Sequence, residues 1–187
     1  MNPARTALGA ALLAACLAAP AAAGIGPGDG EIGFDFGSTD FDSNVTAKSG
    51  SRLVFRGGYH LSRHFEIEGQ EACSGATEHV TPDDLNITLC TAMANGVVNF
   101  HSPGGNIVPY VLGGLGQARL KLDGGGLNEE DTAAASQVAV GSRFFFGASK
   151  RAAFRVDYSV LREKTFGERS THRNLVVGFT WRLGKGR

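Results

Sequence analysis

The sequence predicts an all-β fold, an eight-stranded antiparallel up-and-down barrel. Three observations carry that reading. Apolar and polar residues alternate over stretches of about eight to twelve positions, which gives a strand two chemically different faces. No helical pattern interrupts the alternation, so parallel α/β architectures lack their crossovers. The connectors alternate between short and long, as consecutive hairpins do in a barrel with two unlike ends. The 187 residues suit one domain, because all-β barrels reach about 200 to 250 residues without splitting.

The first segment reads as an address. Residues 1–5 form a short positive region, 6–17 an Ala/Leu-rich stretch, and Ala21-Ala22-Ala23 before Gly24 supplies the small residues that a signal peptidase accepts. Residues 1–23 are therefore expected to be a cleaved secretory signal, leaving 24–187 as the barrel domain. A competing reading is the lipobox-like Leu13-Ala14-Ala15-Cys16, which would place a lipid on Cys16. Both readings carry the chain across the inner membrane. Beyond this segment no apolar run reaches the roughly 18 residues of a membrane helix.

The eight strands are expected near 31–37, 51–61, 64–72, 87–100, 107–122, 137–146, 153–165 and 172–183. Residues 62–63, 101–106 (with Pro103-Gly104-Gly105) and 148–151 are tight turns. Residues 38–50, 73–86 and 123–135 read as long polar loops. Short turns at one end and long loops at the other are the organisation of a transmembrane β-barrel in an outer membrane, its long loops outside the cell. Glycine, 27 of 187 residues, is about twice its usual share of roughly 7%. It lacks the strict period of collagen and is abundant where strands must coil tightly. A formal net charge of +0 gives no basic stripe for phosphates, which argues against a nucleic-acid partner.

Splitting the strands by parity yields two sets. One is greasy: Ile32, Phe34, Phe36, Leu53, Phe55, Tyr59, Phe65, Ile67, Val98, Phe100, Tyr110, Leu112, Leu120, Val138, Val140, Phe144, Phe146, Phe154, Val156, Tyr158, Leu175, Val177, Phe179, Trp181 and Leu183. The other holds polar residues such as His60, Gln70, Asn95, Asn99, Gln117 and Lys121. Within it stands a candidate lumen network of both signs: Arg52, Arg56, Arg119, Arg143, Arg155 and Arg182 against Glu31, Asp35, Glu66, Glu68, Asp157 and Glu163. A soluble lipocalin-like carrier would put the greasy set inside. Export, aromatics near strand ends and abundant glycine favour the reverse, with charges filling the axis. Eight strands leave a lumen just wide enough for side chains, so the expectation is a plugged barrel without a sizeable pore.

Gly57-Gly58-Tyr59-His60-Leu61 turning into Phe65-Glu66-Ile67-Glu68-Gly69, then 109–116, Phe154-Arg155-Val156-Asp157-Tyr158 and the closing 175–183, give the chain its likeness to known proteins. In order and spacing it resembles the small eight-stranded outer-membrane barrels of the OmpA/OmpX and opacity-protein type, over nearly all of 24–187. That resemblance implies envelope integrity, adhesion or surface contact, and no shared catalytic centre. It implies outer-membrane lipid and lipopolysaccharide as surroundings, an extracellular ligand at the long loops, and the bacterial outer membrane as location. Such barrels usually finish on a terminal aromatic; this chain continues past Trp181 through Gly184-Lys185-Gly186-Arg187.

Cys73 and Cys90 flank a long loop with the same outward parity, and an oxidising periplasm would join them. Such closure stabilises by on the order of 3 kcal/mol in the chain-entropy model. No Cys or His pair stands at metal-ligand spacing, so no metal is expected, nor any cofactor. His60-Leu61-Ser62 has the His-x-Ser spacing of lipid A deacylases, which keeps a lipid A-modifying enzyme as an alternative. The pair abuts a short turn on the periplasmic side, where ordinary turn and lumen roles fit better. Acidic residues at 71, 78, 83, 84, 123 and 129–131 read as solvated loop surface.

Overall fold

The structure is a computed structural model that describes residues 26–43, 49–80, 83–100, 106–124, 126–147 and 149–184. The leader over 1–23, with Cys16, and most of the turn over 101–106 lie outside those residues.

Eight strands form: β1 (Gly30–Asp40), β2 (Ser49–His60), β3 (Phe65–Val80), β4 (Asp83–Asn99), β5 (Ile107–Gly124), β6 (Leu127–Phe146), β7 (Ala152–Glu163) and β8 (Ser170–Arg182). Each pairs antiparallel with the next, and β8 returns to β1 to close the barrel. Closure satisfies every strand edge, the condition for a sheet to sit in hydrocarbon.

The register explains the outer face. Phe55, Phe34, Phe179, Phe154 and Phe144 stand opposite one another on β2, β1, β8, β7 and β6. Within this row, ring centroids lie 5.0 Å apart for Phe34 and Phe55, and 5.6 Å for Phe154 and Phe179. All five rings are exposed outward, as are Ile32, Phe36, Tyr59, Phe65, Ile67, Val138 and Trp181. A surface this apolar is costly in water and favourable against acyl chains. The soluble-carrier alternative requires the opposite arrangement.

Strand length carries a second message. β3 to β6 run 16, 17, 18 and 20 residues, whereas β1, β2, β7 and β8 run 11 to 13. A spanning strand needs about 9 to 11, so the four central strands project well past the bilayer. The segments expected as long loops over 73–86 and 123–135 are this projection. β3 and β4 pair as far as Val80 with Asp83, and β5 and β6 as far as Gly124 with Leu127. Their polar composition resembled a loop because outward residues there meet water.

In the projection the chemistry of the two faces reverses. Leu85, Ile87, Leu89, Ala118, Leu120, Ala135 and Leu161 pack inward with Phe41 and Met93 into an apolar core. Asn86, Thr88, Gln117 and Arg119 face out. This corrects the sequence reading of β5. Leu120, with Tyr110 and Leu112 lower down, is buried inside the barrel, while Val111 and Leu115 take the lipid side. Arg119 is not a lumen residue: its side chain is 60% exposed, its Nη2 2.6 Å from Glu130 Oε2. That hydrogen bond holds the Glu130 carboxyl below the usual carboxylate range. Lys121 likewise pairs outward with Asp123.

Candidate functional site

Apart from Arg119 and Lys121, every charged residue expected in the lumen is buried there. Period two places these residues on inward faces, and the register stacks them in layers.

At the end carrying the short β2–β3 turn, Arg182 pairs with Asp29. Next inward, Arg143 forms an ion pair with Glu31, its Nε 2.9 Å from Oε1, and donates hydrogen bonds to Glu66 Oε2 at 2.9 Å and to Asn99 Oδ1 at 2.7 Å. Tyr110 lies between two guanidiniums, its ring centroid 4.7 Å from Arg143 Cζ and 4.6 Å from Arg155 Cζ. A cation over an aromatic face is favoured by the ring quadrupole, most of all away from water. Arg155 reaches Glu68 at 2.6 Å and Asp157 at 3.0 Å. Arg56 pairs with Asp35, with Asp157 at 2.7 Å and with Glu68 at 3.2 Å. Gln137 then bridges Asn95 at 2.7 Å and Gln70 at 3.2 Å.

Glycine supplies the space these side chains need. A Cβ on Gly141 would stand 2.1 Å from Asp157 Oδ1 and 2.4 Å from the Tyr110 hydroxyl, and one on Gly178 would stand 2.3 Å from Asp35 Oδ1. These are sub-contact distances, so the large neighbouring residues occupy room that the glycines leave.

The structure therefore brings Glu31, Asp35, Arg56, Glu66, Glu68, Arg143, Arg155 and Asp157 into one connected set. Arg52 stands further out, donating to Ser74 Oγ at 2.9 Å. Glu163 is separate, its Oε1 3.1 Å from Nε2 of buried His172. Above the charges sits the apolar core, so the interior is filled by two unlike materials in series. Asp29, Tyr110, Gln137 and His172 were not expected in the lumen. Nothing in strand periodicity marks Tyr110, since both parities of β5 are apolar around it.

Cys73 and Cys90 are directly opposed on β3 and β4 and form a disulfide, their Cα atoms 4.1 Å apart. It is a cross-strand link on the outer face, not the neck of a loop. The His60-x-Ser62 pair does not assemble. Ser62 Oγ accepts from the backbone N–H groups of His64 at 3.2 Å and Phe65 at 3.0 Å, which shapes the turn, while His60 points into the lumen without a hydrogen-bond partner.

A family model described as "Outer membrane protein beta-barrel domain" matches residues 9–182. Among solved structures, neisserial surface protein A (NspA) is 13% identical, with a TM-score of 0.67 over 82% of this chain and 96% of that one. Ail, the attachment invasion locus protein of Yersinia pestis, is 16% identical, with a TM-score of 0.59 over 84% and 99%; it has also been solved in complex with the heparin analogue sucrose octasulfate. The N-terminal β-barrel domain of Pseudomonas aeruginosa OprF is 16% identical, with a TM-score of 0.55 over 84% and 100%. At these identities the likeness establishes the fold. No curated protein sequence matches the chain.

Proposed function

Because this chain belongs to the outer membrane protein β-barrel domain family and resides in the bacterial outer membrane, we propose that it serves there as a structural and surface-interaction protein rather than as a channel. The observation that carries this reading is the interior. A charge network closed by its own ion pairs, followed by an apolar core, leaves the projecting β3–β6 end as the working surface. Residues 1–23 act as the signal, and the mature chain of 164 residues (187 less 23) begins at Gly24. Intact mass of the membrane-extracted protein tests that boundary.

The contact chemistry is anionic lipid. Beside the projection, Arg162, Lys164 and Arg169, with the single carboxylate Glu163, line a groove of ≈ 650 Å³ that has Leu115, Ala134 and Ala135 on its apolar side. Cations above an apolar strip suit an amphiphile with phosphates at its head, which in this leaflet is lipopolysaccharide. A sulfated glycan is the second reading, favoured by the Ail complex. Co-purification of lipopolysaccharide with the wild type, and its loss in an Arg162→Glu, Arg169→Glu double variant, is the expected result. Retention by that variant, with heparin binding abolished, would favour the glycan.

A further inference from the structure

We propose that the periplasmic end of the lumen holds a divalent transition-metal site formed by His60, Glu31 and Glu66. The three come from β2, β1 and β3, and no spacing along the chain announces them. The register does: His60 is paired with Glu66, and Glu31 stands opposite Gly58, two residues before His60. One ligand atom from each lies within 4.8 Å of the others, and all three side chains are buried.

One feature distinguishes this cluster from the ion pairs around it, and two more are shared with its neighbours. His60 is 0% exposed, yet neither Nδ1 nor Nε2 has a hydrogen-bond partner among the described residues. Nε2 faces Glu31 Oε2 at 3.5 Å and Nδ1 faces Glu66 Oε2 at 3.7 Å, both beyond ordinary hydrogen-bond length. Second, each carboxylate is half used. Arg143 meets Glu31 Oε1 as an ion pair and donates to Glu66 Oε2, while Glu31 Oε2 and Glu66 Oε1, like Asp35 Oδ1 and Asp157 Oδ1 nearby, are buried with no hydrogen bond among the described residues. Buried polar atoms of this kind are costly unless something satisfies them. Third, Gly58 leaves the room that the Glu66 carboxylate occupies, since a Cβ there would lie 2.2 Å from Glu66 Oε1.

Charge points the same way. The connected network holds the carboxylates of Glu31, Asp35, Glu66, Glu68 and Asp157 against the guanidiniums of Arg56, Arg143 and Arg155, five against three. A dication bound by one imidazole nitrogen and one oxygen from each glutamate would add positive charge beside Glu31 and Glu66. One nitrogen and two oxygen ligands suit zinc and its first-row neighbours, whereas magnesium and calcium prefer oxygen alone. Arg143, already bonded to both glutamates, orients them as outer-shell partners do at metal sites. The bound ion would staple β1 to the β2–β3 hairpin beside the periplasmic turn.

The test is calorimetric titration of the folded, chelator-treated protein in detergent with zinc chloride. The expected result is one ion per barrel, with affinity lowered about tenfold or more in His60→Gln and unchanged in Ser62→Ala. Boiling-sensitive gel mobility confirms that each variant is folded. X-ray absorption of the zinc-loaded wild type gives a readout independent of variants, with one imidazole in the shell expected. No zinc uptake by the wild type, an all-oxygen shell, or His60→Gln binding as tightly as wild type would each overturn the assignment.

Discussion

Phe55→Arg is the sharpest perturbation of the outer face. Phe55 sits midway along the outward row of β2, 61% exposed, with Phe34 5.0 Å away. A phenylalanine side chain presents about 200 Å², so about 120 Å² of Phe55 faces acyl chains. At about 25 cal/mol per Å² that is about 3 kcal/mol of transfer from water. An arginine near the bilayer midplane costs about 2 to 4 kcal/mol further. Together the loss is about 5 to 7 kcal/mol, comparable with the whole stability of many domains. Equilibrium denaturant unfolding in lipid vesicles measures it. Arg119→Ala is the internal control, because Arg119 shares the outward parity of β5 but stands in water beyond the apolar band; its unfolding midpoint should match wild type. A Phe55→Arg protein as stable as wild type would refute the reasoning, since a side chain in water or on a solvent-facing barrel tolerates that change.

Other consequences follow from the interior and the disulfide. Reducing Cys73–Cys90, a separation of 17 residues, should lower stability by about 3 kcal/mol, seen as a lower denaturant midpoint only in the presence of reductant. Arg143→Met strands Glu31 and Glu66 without their guanidinium and should cost about 3 to 5 kcal/mol. Its partial rescue by Glu66→Gln in a double-mutant cycle would locate the loss in that pair. Planar-bilayer recordings of the wild type should show no stable pore conductance, whereas a steady open channel would contradict a lumen filled by Arg56, Tyr110, Arg143 and the core around Leu89.

Strand number, closure and the membrane-facing residues of β1, β2, β7 and β8 were legible because one parity of those strands is aromatic and the other charged. Phe34 and Asp35 leave no ambiguity about sides. β5 was misread because its two parities are both apolar near Tyr110 and Leu112, so Arg119 was taken to mark the lumen. Which face is greasy depends on depth, and depth is set by pairing with β4, where Arg119 meets Cys90. For the same reason 73–86 and 123–135 read as loops: alternation continues there, but with its meaning exchanged between water and core. The cluster of Glu31, His60 and Glu66 was invisible for a different reason. His60 and Glu66 face each other across a short turn, but Glu31 stands on another strand, and the three share only a layer of the barrel, which exists once the register is known.

The central claim is that the aromatic face meets lipid, and the chain carries a single tryptophan with which to ask. Trp181, 52% exposed on the outward row of β8 near the rim that carries the short β2–β3 turn, should be quenched by brominated phospholipids. Bromines close to the headgroup should act more strongly than those at the bilayer centre, and aqueous iodide should have little effect. Strong iodide quenching with no response to brominated lipid would place that face in water and contradict the account.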